Sequence, residues 1–133
     1  MTDPSISAKA VLRVLVVDPD DRIREGLARL MPIGGRCLVV GSAGQPDAAL
    51  DLAVSMSPDI VMLDSRLSEL DPGHNLIARL RARRPGVRIV VLNWSESAEP
   101  LPGLEGADAY IRKTFRPREL IEAVLNAART SAA

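Results

Sequence analysis

The feature that most constrains the fold of this chain is a regular alternation of short apolar runs with longer segments of helical period. Four runs, at residues 11–17, 37–40, 60–63 and 87–92, are rich in valine, isoleucine and leucine and are almost continuously apolar. Such runs are typical of parallel strands that are covered on both faces. A fifth and weaker run, at residues 107–111, follows the turn residue Gly106,. The runs therefore predict five parallel strands.

Helices are predicted between these strands, because apolar residues recur there at the three- and four-residue spacings of a helix with one buried face. Proline is well tolerated in the first turn of a helix, so Pro46 and Pro117 are predicted to begin two of them,. The inner faces of the four predicted helices are Ile23, Leu27 and Leu30; Ala49, Leu52 and Ala53; Leu76, Ile77 and Leu80; and Leu120, Ile121, Val124 and Leu125.

The segment between the fourth and fifth strands, residues 94–106, departs from this pattern. Pro100, Pro102 and Gly103 leave room for at most about one helical turn,, so the helix expected there is predicted to be degraded or replaced by a loop. The remaining order implies right-handed crossovers and a flavodoxin-like, doubly wound parallel sheet of the α/β class with strand order 2-1-3-4-5. We expect one domain at residues 11–130, between a disordered tail at 1–10 and a short tail at 131–133.

The composition limits the class of protein and its partners. The chain has 133 residues and a formal net charge of zero, so it lacks the positive surplus that drives nonspecific binding to nucleic acid,. Its one cysteine, Cys37, lies in an apolar run, which favours a buried free thiol in a reducing compartment,. The sequence shows neither a signal-peptide core near its start nor a run of about 20 apolar residues. We therefore expect a cytoplasmic protein that binds neither DNA nor membranes directly.

Two acidic residues stand at the ends of predicted strands, Asp18 after the first and Asp64 after the third. In a doubly wound sheet, ligands bind beyond the carboxyl ends of the strands, beside the point where the strand order reverses. We therefore expect both carboxylates in one crevice, with Lys113 at the same edge after the fifth strand. Carboxylates suit Mg²⁺, and an ammonium group can pair with phosphoryl oxygens. Together these residues predict phosphoryl transfer to a carboxylate.

Four segments, in this order and at this spacing, carry a resemblance to a known family. They are Val-Leu-Val-Val-Asp-Pro-Asp-Asp at the first strand, Pro-Asp-Ile-Val-Met-Leu-Asp-Ser-Arg-Leu at the third, Gly-Ala-Asp-Ala-Tyr-Ile-Arg-Lys at the fifth and Arg-Pro-Arg-Glu-Leu at the last helix. Over residues 11–129 the chain resembles the receiver domains of two-component response regulators.

The resemblance implies a role for each matching residue. Asp64 matches the phospho-acceptor, Asp18 one of the paired metal-binding acids, Lys113 the phosphate-pairing lysine and Tyr110 the aromatic switch. In that family the phosphoryl group comes from a sensor histidine kinase and Mg²⁺ is required. The expected partner is therefore such a kinase or another signalling protein, and a homodimer is left open.

The chain departs from the family beside Asp18, where a second acid is usual and Pro19 offers no side-chain oxygen,. Asp20 is a weak candidate to compensate as a ligand, directly or through water. We favour the other interpretation, in which Asp20 complements the dipole at a helix N-terminus. The resemblance thus implies Mg²⁺ at a weakened site formed by Asp18, Asp64 and, more weakly, Asp20.

Two further departures concern the switch. Asn93 stands where the family ends its fourth strand in serine or threonine, and it can donate to a phosphoryl oxygen but cannot reproduce a hydroxyl. Trp94 takes the next position, usually a small residue, and is predicted either to lid the pocket or to cover core that the missing helix would cover. For Tyr110 we favour a half-buried ring with its hydroxyl in water.

Three functions remain, and none is a conventional enzyme, since the sequence has no phosphate-binding glycine loop and no serine nucleophile motif. The first is an atypical, single-domain response regulator that acts through protein contacts, with impaired or unconventional phosphorylation at Asp64. It is favoured by the lost acid, the lost hydroxyl and the lost helix between the fourth and fifth strands, and the short sequence after the last helix leads us to expect output through protein contacts. The second is a conventional Mg²⁺-dependent phospho-acceptor in a histidine-kinase phosphorelay. The third is a small-molecule sensor that uses the same crevice.

Overall fold

Five parallel strands form a sheet in the computed structural model of the chain, which describes residues 11–67, 75–93 and 104–129. In chain order the strands are β1 Leu12–Val17, β2 Cys37–Ala43, β3 Ile60–Asp64, β4 Arg88–Asn93 and β5 Ala109–Arg112. They lie side by side in the order β2-β1-β3-β4-β5, and each neighbouring pair is parallel. The predicted flavodoxin-like fold and its strand order are therefore confirmed.

The helices in the described residues are α1 Asp21–Leu30, α2 Pro46–Ser55, α3 Leu76–Arg83 and α4 Pro117–Arg129. Pro46 and Pro117 are the first residues of their helices, as predicted. Asn75 begins α3 by accepting a hydrogen bond at its side-chain oxygen from the backbone amide of Ala78 at 3.1 Å, which satisfies a donor of the first helical turn.

Two predictions fall on parts of the chain outside the described residues. The degraded helix between β4 and β5 concerns residues 94–106, of which 94–103 are not described. The predicted tails at 1–10 and 131–133 also lie outside the described ranges.

The sheet is buried on both faces, because successive side chains of a strand point to opposite sides. On one face, Val14 and Val16 of β1 pack with α1 and α4, and on the other, Leu15 and Val17 pack with α2 and α3. All four side chains are fully buried. The continuous apolar runs of the sequence thus correspond to strands that are covered on both sides.

The edge strand β2 is longer than its apolar run, since it continues through Gly41 to Ala43. Its register with β1 shifts by one residue, because Val14 pairs with Val39 and Leu15 pairs with Gly41. An extra residue of this kind bends and twists an edge strand. Most of β2 beyond its first residue is only partly covered, so its second half does not need the apolar side chains that identified the first.

Cys37 begins β2 and is a buried free cysteine, as predicted, with 3% of its surface exposed. Burial raises the pKa of its thiol, which keeps the sulfur in its less reactive protonated form. None of the helices in the described part of the chain combines the length and apolar content of a membrane span.

The strand register brings the carboxyl ends of four strands to one edge of the sheet. Val17 of β1 pairs with Leu63 of β3, and Asp64 pairs with Leu92 of β4. Asn93, the next residue of β4, pairs with Arg112 of β5. Side chains that end or follow these strands therefore lie close together.

Candidate functional site

Two buried carboxylates, those of Asp18 and Asp64, lie at the carboxyl edge of the sheet. Asp18 follows β1, and its backbone amide donates to the carbonyl of Ala43 at 3.0 Å, which continues the pairing with β2. Asp64 is the last residue of β3. Each residue is only 1% exposed, and burying a charge is costly unless it is paired. Both carboxylates therefore require compensating cations.

Lys113 supplies one of these cations. It follows β5, and its backbone amide donates to the carbonyl of Asn93 at 2.6 Å, which fixes it beside the end of β4. Its side chain is fully buried, and Nζ donates to Asp18 Oδ2 at 2.6 Å and to Asp64 Oδ2. The structure thus brings together the three residues that the sequence predicted at this edge.

Arg66 supplies the second cation and was assigned no role from the sequence. It lies in the turn after β3, where Nε donates to Asp64 Oδ1 at 2.8 Å. Nη2 donates to Asp18 Oδ1 at 3.0 Å and to Asp64 Oδ2 at 3.2 Å. The side chain is 40% exposed, so Arg66 forms a boundary between the buried carboxylates and the solvent.

The two carboxylates differ in how firmly they hold their charge. Burial by itself raises the pKa of Asp64, but hydrogen bonds from Arg66 and Lys113 outweigh burial and lower that pKa to about 2. At Asp18 burial dominates and raises the pKa, because the hydrogen bonds from Lys113 and from the amide of Asp20 only partly offset it. Asp64 is therefore the more firmly ionised of the pair, and the ionised form is the nucleophilic one.

Asp20 caps helix α1. Its Oδ1 accepts hydrogen bonds from the backbone amides of Arg22 at 2.8 Å and Ile23 at 3.3 Å. Its own amide donates to Asp18 Oδ1 at 2.8 Å. This is the helix-terminal position that we favoured over metal binding, and it satisfies donors that no helical carbonyl can reach.

Magnesium fits this arrangement poorly. Mg²⁺ requires oxygen ligands in near-ideal octahedral geometry. All four carboxylate oxygens of Asp18 and Asp64 already accept a hydrogen bond from Arg66, from Lys113 or from both. Within residues 11–67, 75–93 and 104–129, no group of three or more histidine, cysteine, aspartate or glutamate side chains is placed to hold a metal. As arranged here, the pocket does not offer Mg²⁺ a free carboxylate.

Asn93 ends β4 beside the pocket. It is half-buried, and its Oδ1 accepts a hydrogen bond from Ser65 Oγ at 3.3 Å. The amide of Ser65 in turn donates to the carbonyl of Leu92 at 2.9 Å. The turn that follows Asp64 therefore positions the Asn93 side chain, and contact of Asn93 with a phosphoryl group stays a prediction.

Tyr110 lies in β5 and packs against the core on the side of α2 and α3. Its ring is half-buried, as predicted, and the contact of its hydroxyl with water stays a prediction. The hydroxyl donates to the carbonyl of Leu104 at 2.7 Å and accepts from the amide of Ala107 at 3.4 Å, because the segment before β5 folds back over the ring. Trp94, the other predicted switch residue, lies outside the described residues.

One signal in the sequence could have identified Arg66, which stands two positions after an acid at a strand end. Aspartate readily accepts a hydrogen bond from the backbone amide two residues further on, and the amide of Arg66 donates to Asp64 Oδ1 at 2.8 Å. This bond turns the chain back over the carboxylate. The guanidinium then lies within reach of both acids.

Comparison with known proteins gives a consistent result. The family model of the response regulator receiver domain matches residues 14–125. The chain is 30% identical over 117 residues to the nitrate/nitrite response regulator protein NarL of Escherichia coli (strain K12), which covers 86% of the chain and 54% of that relative. It is 38% identical over 112 residues to the response regulator MprA of Mycolicibacterium vanbaalenii, which covers 83% and 47%. The chain spans about half the length of these curated relatives.

Comparison with solved structures agrees with the comparison of sequences. The signal receiver domain of a NarL response regulator from Mycobacterium tuberculosis superposes with a TM-score of 0.76 at 28% identity, over 92% of this chain and 100% of that one. The response regulator domain of CheB from Thermotoga maritima superposes with a TM-score of 0.71 at 27% identity, over 91% and 98%. The sequence relatives and the superposed structures therefore belong to the same family of proteins.

Proposed function

The chain belongs to the receiver domains of response regulators, and from this premise we propose that it is an atypical receiver, which signals through protein contacts with impaired or unconventional phosphorylation at Asp64. Receiver domains act in two-component signalling, where they interact with histidine kinases and other signalling proteins. We propose a partner of the same kind for this chain.

The observation that carries the proposal is that the pocket pairs Asp64 with Lys113, while among the described residues no third acid joins Asp18 and Asp64 in a group that could hold a metal. Pro19 stands next to Asp18 without a side-chain oxygen, and the carboxylate of Asp20 is directed to the first turn of α1. The proposed acceptor and the proposed phosphate-pairing lysine are therefore present, while the proposed set of metal-binding acids lacks one member. This combination supports weakened Mg²⁺ binding and, with it, slow phosphoryl transfer to Asp64.

The contacts of Asp64 support impaired acceptance directly. A carboxylate attacks a phosphodonor through an oxygen lone pair, and an ionised carboxyl group has about four such acceptor sites. Asp64 Oδ1 accepts from the backbone amide and Nε of Arg66, and Oδ2 accepts from Nη2 of Arg66 and Nζ of Lys113. Since the residue is also 1% exposed, a donor must displace a hydrogen-bond partner before it can react.

A groove beside α4 supports output through protein contact. Ile33, Ile121 and Leu125 contribute apolar side chains to its lining, and Arg36, Arg118 and Glu122 contribute charged ones. Ile33 is 53% exposed. Surfaces that combine exposed apolar and charged side chains are typical of sites that bind other proteins. We propose this groove as the surface that contacts the signalling partner.

Phosphorylation of the purified chain tests the proposal. Wild-type protein is incubated with Mg²⁺ and acetyl phosphate, and the intact mass is followed with time. We expect slow addition of one phosphoryl group to the wild type, faster addition to Pro19→Asp, and none to Asp64→Asn. Addition to Asp64→Asn at the wild-type rate would exclude Asp64 as the acceptor.

A conventional phospho-acceptor is the second candidate, favoured by the direct contact of Lys113 with Asp64. The same time course separates the two candidates. If the wild type is modified rapidly, as fast as Pro19→Asp and in full dependence on Mg²⁺, the pocket is conventional and the atypical assignment is wrong.

A further inference from the structure

We propose that Arg66 is a tethered cation that holds the position of a metal ion between Asp18 and Asp64, so that Mg²⁺ must displace it in order to bind. The inference goes beyond the proposed function, because it concerns which cation the pocket holds and not whether Asp64 accepts phosphate.

The geometry of the guanidinium carries the proposal. Nη2 bridges the two acids, at 3.0 Å from Asp18 Oδ1 and 3.2 Å from Asp64 Oδ2, while Nε lies 2.8 Å from Asp64 Oδ1. A metal ion bound to both acids would need the same oxygens. The planar donors of arginine match carboxylates well and make strong, charge-assisted hydrogen bonds. Arg66 therefore competes with a metal for these ligands.

The charge balance of the pocket indicates that Mg²⁺ would replace one of the two cations and would not bind in addition to both. Asp18 and Asp64 contribute two negative charges, and Lys113 and Arg66 contribute two positive ones, so the cluster is neutral without a metal. Both acids are 1% exposed. Adding Mg²⁺ while both cations remain would leave two uncompensated positive charges in a buried site, which is costly. One of the two cations must leave when a metal enters.

Arg66 is the cation that can leave. Its side chain is 40% exposed, whereas that of Lys113 is fully buried. The guanidinium can move into solvent by rotation of its own side chain, because that side chain already reaches the surface. Lys113, in contrast, could reach solvent only if the edge of the sheet opened.

Mg²⁺ binding to four proteins tests the inference by isothermal calorimetry: the wild type, Arg66→Ala, Arg66→Lys and Arg22→Ala. Arg66→Ala frees carboxylate oxygens and should lower the Kd for Mg²⁺ by about tenfold or more, which corresponds to about 1.4 kcal/mol or more. Arg66→Lys keeps the positive charge but loses the planar set of donors that bridges the two acids. Its Kd for Mg²⁺ should therefore lie between those of the wild type and Arg66→Ala. Arg22 is exposed at the start of α1, so Arg22→Ala controls for loss of one positive charge near the site.

A second measurement follows the displacement itself. In the wild type, the Nε–H signal of Arg66 in the NMR spectrum should shift and exchange faster with water as Mg²⁺ is added, because the guanidinium is released from Asp64. Circular dichroism establishes that each variant is folded.

The inference is overturned if folded Arg66→Ala and Arg66→Lys bind Mg²⁺ like the wild type, or if Arg22→Ala tightens binding as much as Arg66→Ala. It is also overturned if the Nε–H signal is unchanged at saturating Mg²⁺. These outcomes are independent of phosphorylation. If Asp64 takes up no phosphate in any variant while Arg66→Ala still binds Mg²⁺ more tightly, phosphoryl acceptance at Asp64 is excluded and the competition between Arg66 and Mg²⁺ stands.

Discussion

The carboxylate of Asp20 accepts a hydrogen bond from the backbone amide of Arg22 at 2.8 Å. The same oxygen accepts a longer one, at 3.3 Å, from the amide of Ile23, so the carboxylate faces the N-terminus of α1. An acid at this position satisfies amide donors of the first turn and complements the helix dipole. The acid that directly follows Pro19 therefore stabilises a helix.

Replacing Asp20 by alanine should lower the free energy of unfolding by about 1 kcal/mol, because α1 loses its cap. The Kd for Mg²⁺ should change by less than about twofold, since charges near the surface are screened at physiological ionic strength. Chemical denaturation and calorimetry measure the two quantities. Asp20→Asn is the matched control, because asparagine caps a helix as well as aspartate does. Weaker Mg²⁺ binding in both variants would instead identify Asp20 as a ligand.

Pro19 is the position where a third carboxylate can be restored. It is half-buried and directly follows Asp18, so an aspartate there adds a negative charge to a cluster that is neutral. We expect Pro19→Asp to lower the Kd for Mg²⁺ by about tenfold, or about 1.4 kcal/mol, as measured by calorimetry. Pro19→Asn removes the proline without adding charge and serves as the control. Equal affinities in the two variants would mean that the missing acid does not limit metal binding.

Most of the fold could be predicted because the central strands are covered on both faces. Val14 and Leu15 point to opposite sides of the sheet and are both fully buried, so β1 is apolar at successive positions. The end of β2 could not be predicted in this way. Gly41 and Ser42 continue the pairing with β1 at an edge where burial is incomplete, and their side chains carry no apolar pattern.

The candidate site could be predicted only where it depends on strand ends. Asp64 ends a parallel strand, and Asp18 and Lys113 each directly follow one, so the topology alone brings them to one edge,. The Arg66 guanidinium and the hydroxyl of Tyr110 depend on the conformation of turns. Turn side chains follow no sequence period that would give their direction, and burial and charge pairing decide it only once the chain is folded.

Tyr110 provides a test of one such turn. Its hydroxyl donates to the carbonyl of Leu104 at 2.7 Å, and Leu104 is itself 1% exposed. Tyr110→Phe removes the donor but keeps the ring, so we expect the free energy of unfolding to fall by about 1 kcal/mol, the usual net value of such a hydrogen bond. Urea denaturation measures this change. An unchanged midpoint and slope would show that water replaces the hydroxyl at no cost.

Arg66 also keeps Asp64 ionised in acid, which determines the pH range over which the pocket remains charged. The pKa of Asp64 lies at about 2, below the ordinary value of 3.8, so its stabilising contribution is complete above about pH 4 and is lost as the pH falls towards 2. In Arg66→Ala the pKa should rise, because burial still disfavours the charge and one of its hydrogen-bonding partners is gone. At about pH 3 the carboxyl ¹³C signal of Asp64 should therefore be that of a carboxylate in the wild type and move towards that of the acid in the variant. The signal of Asp59, at the other end of β3, is the internal control, and identical Asp64 signals in the two proteins would mean that Lys113 alone maintains the ionised state.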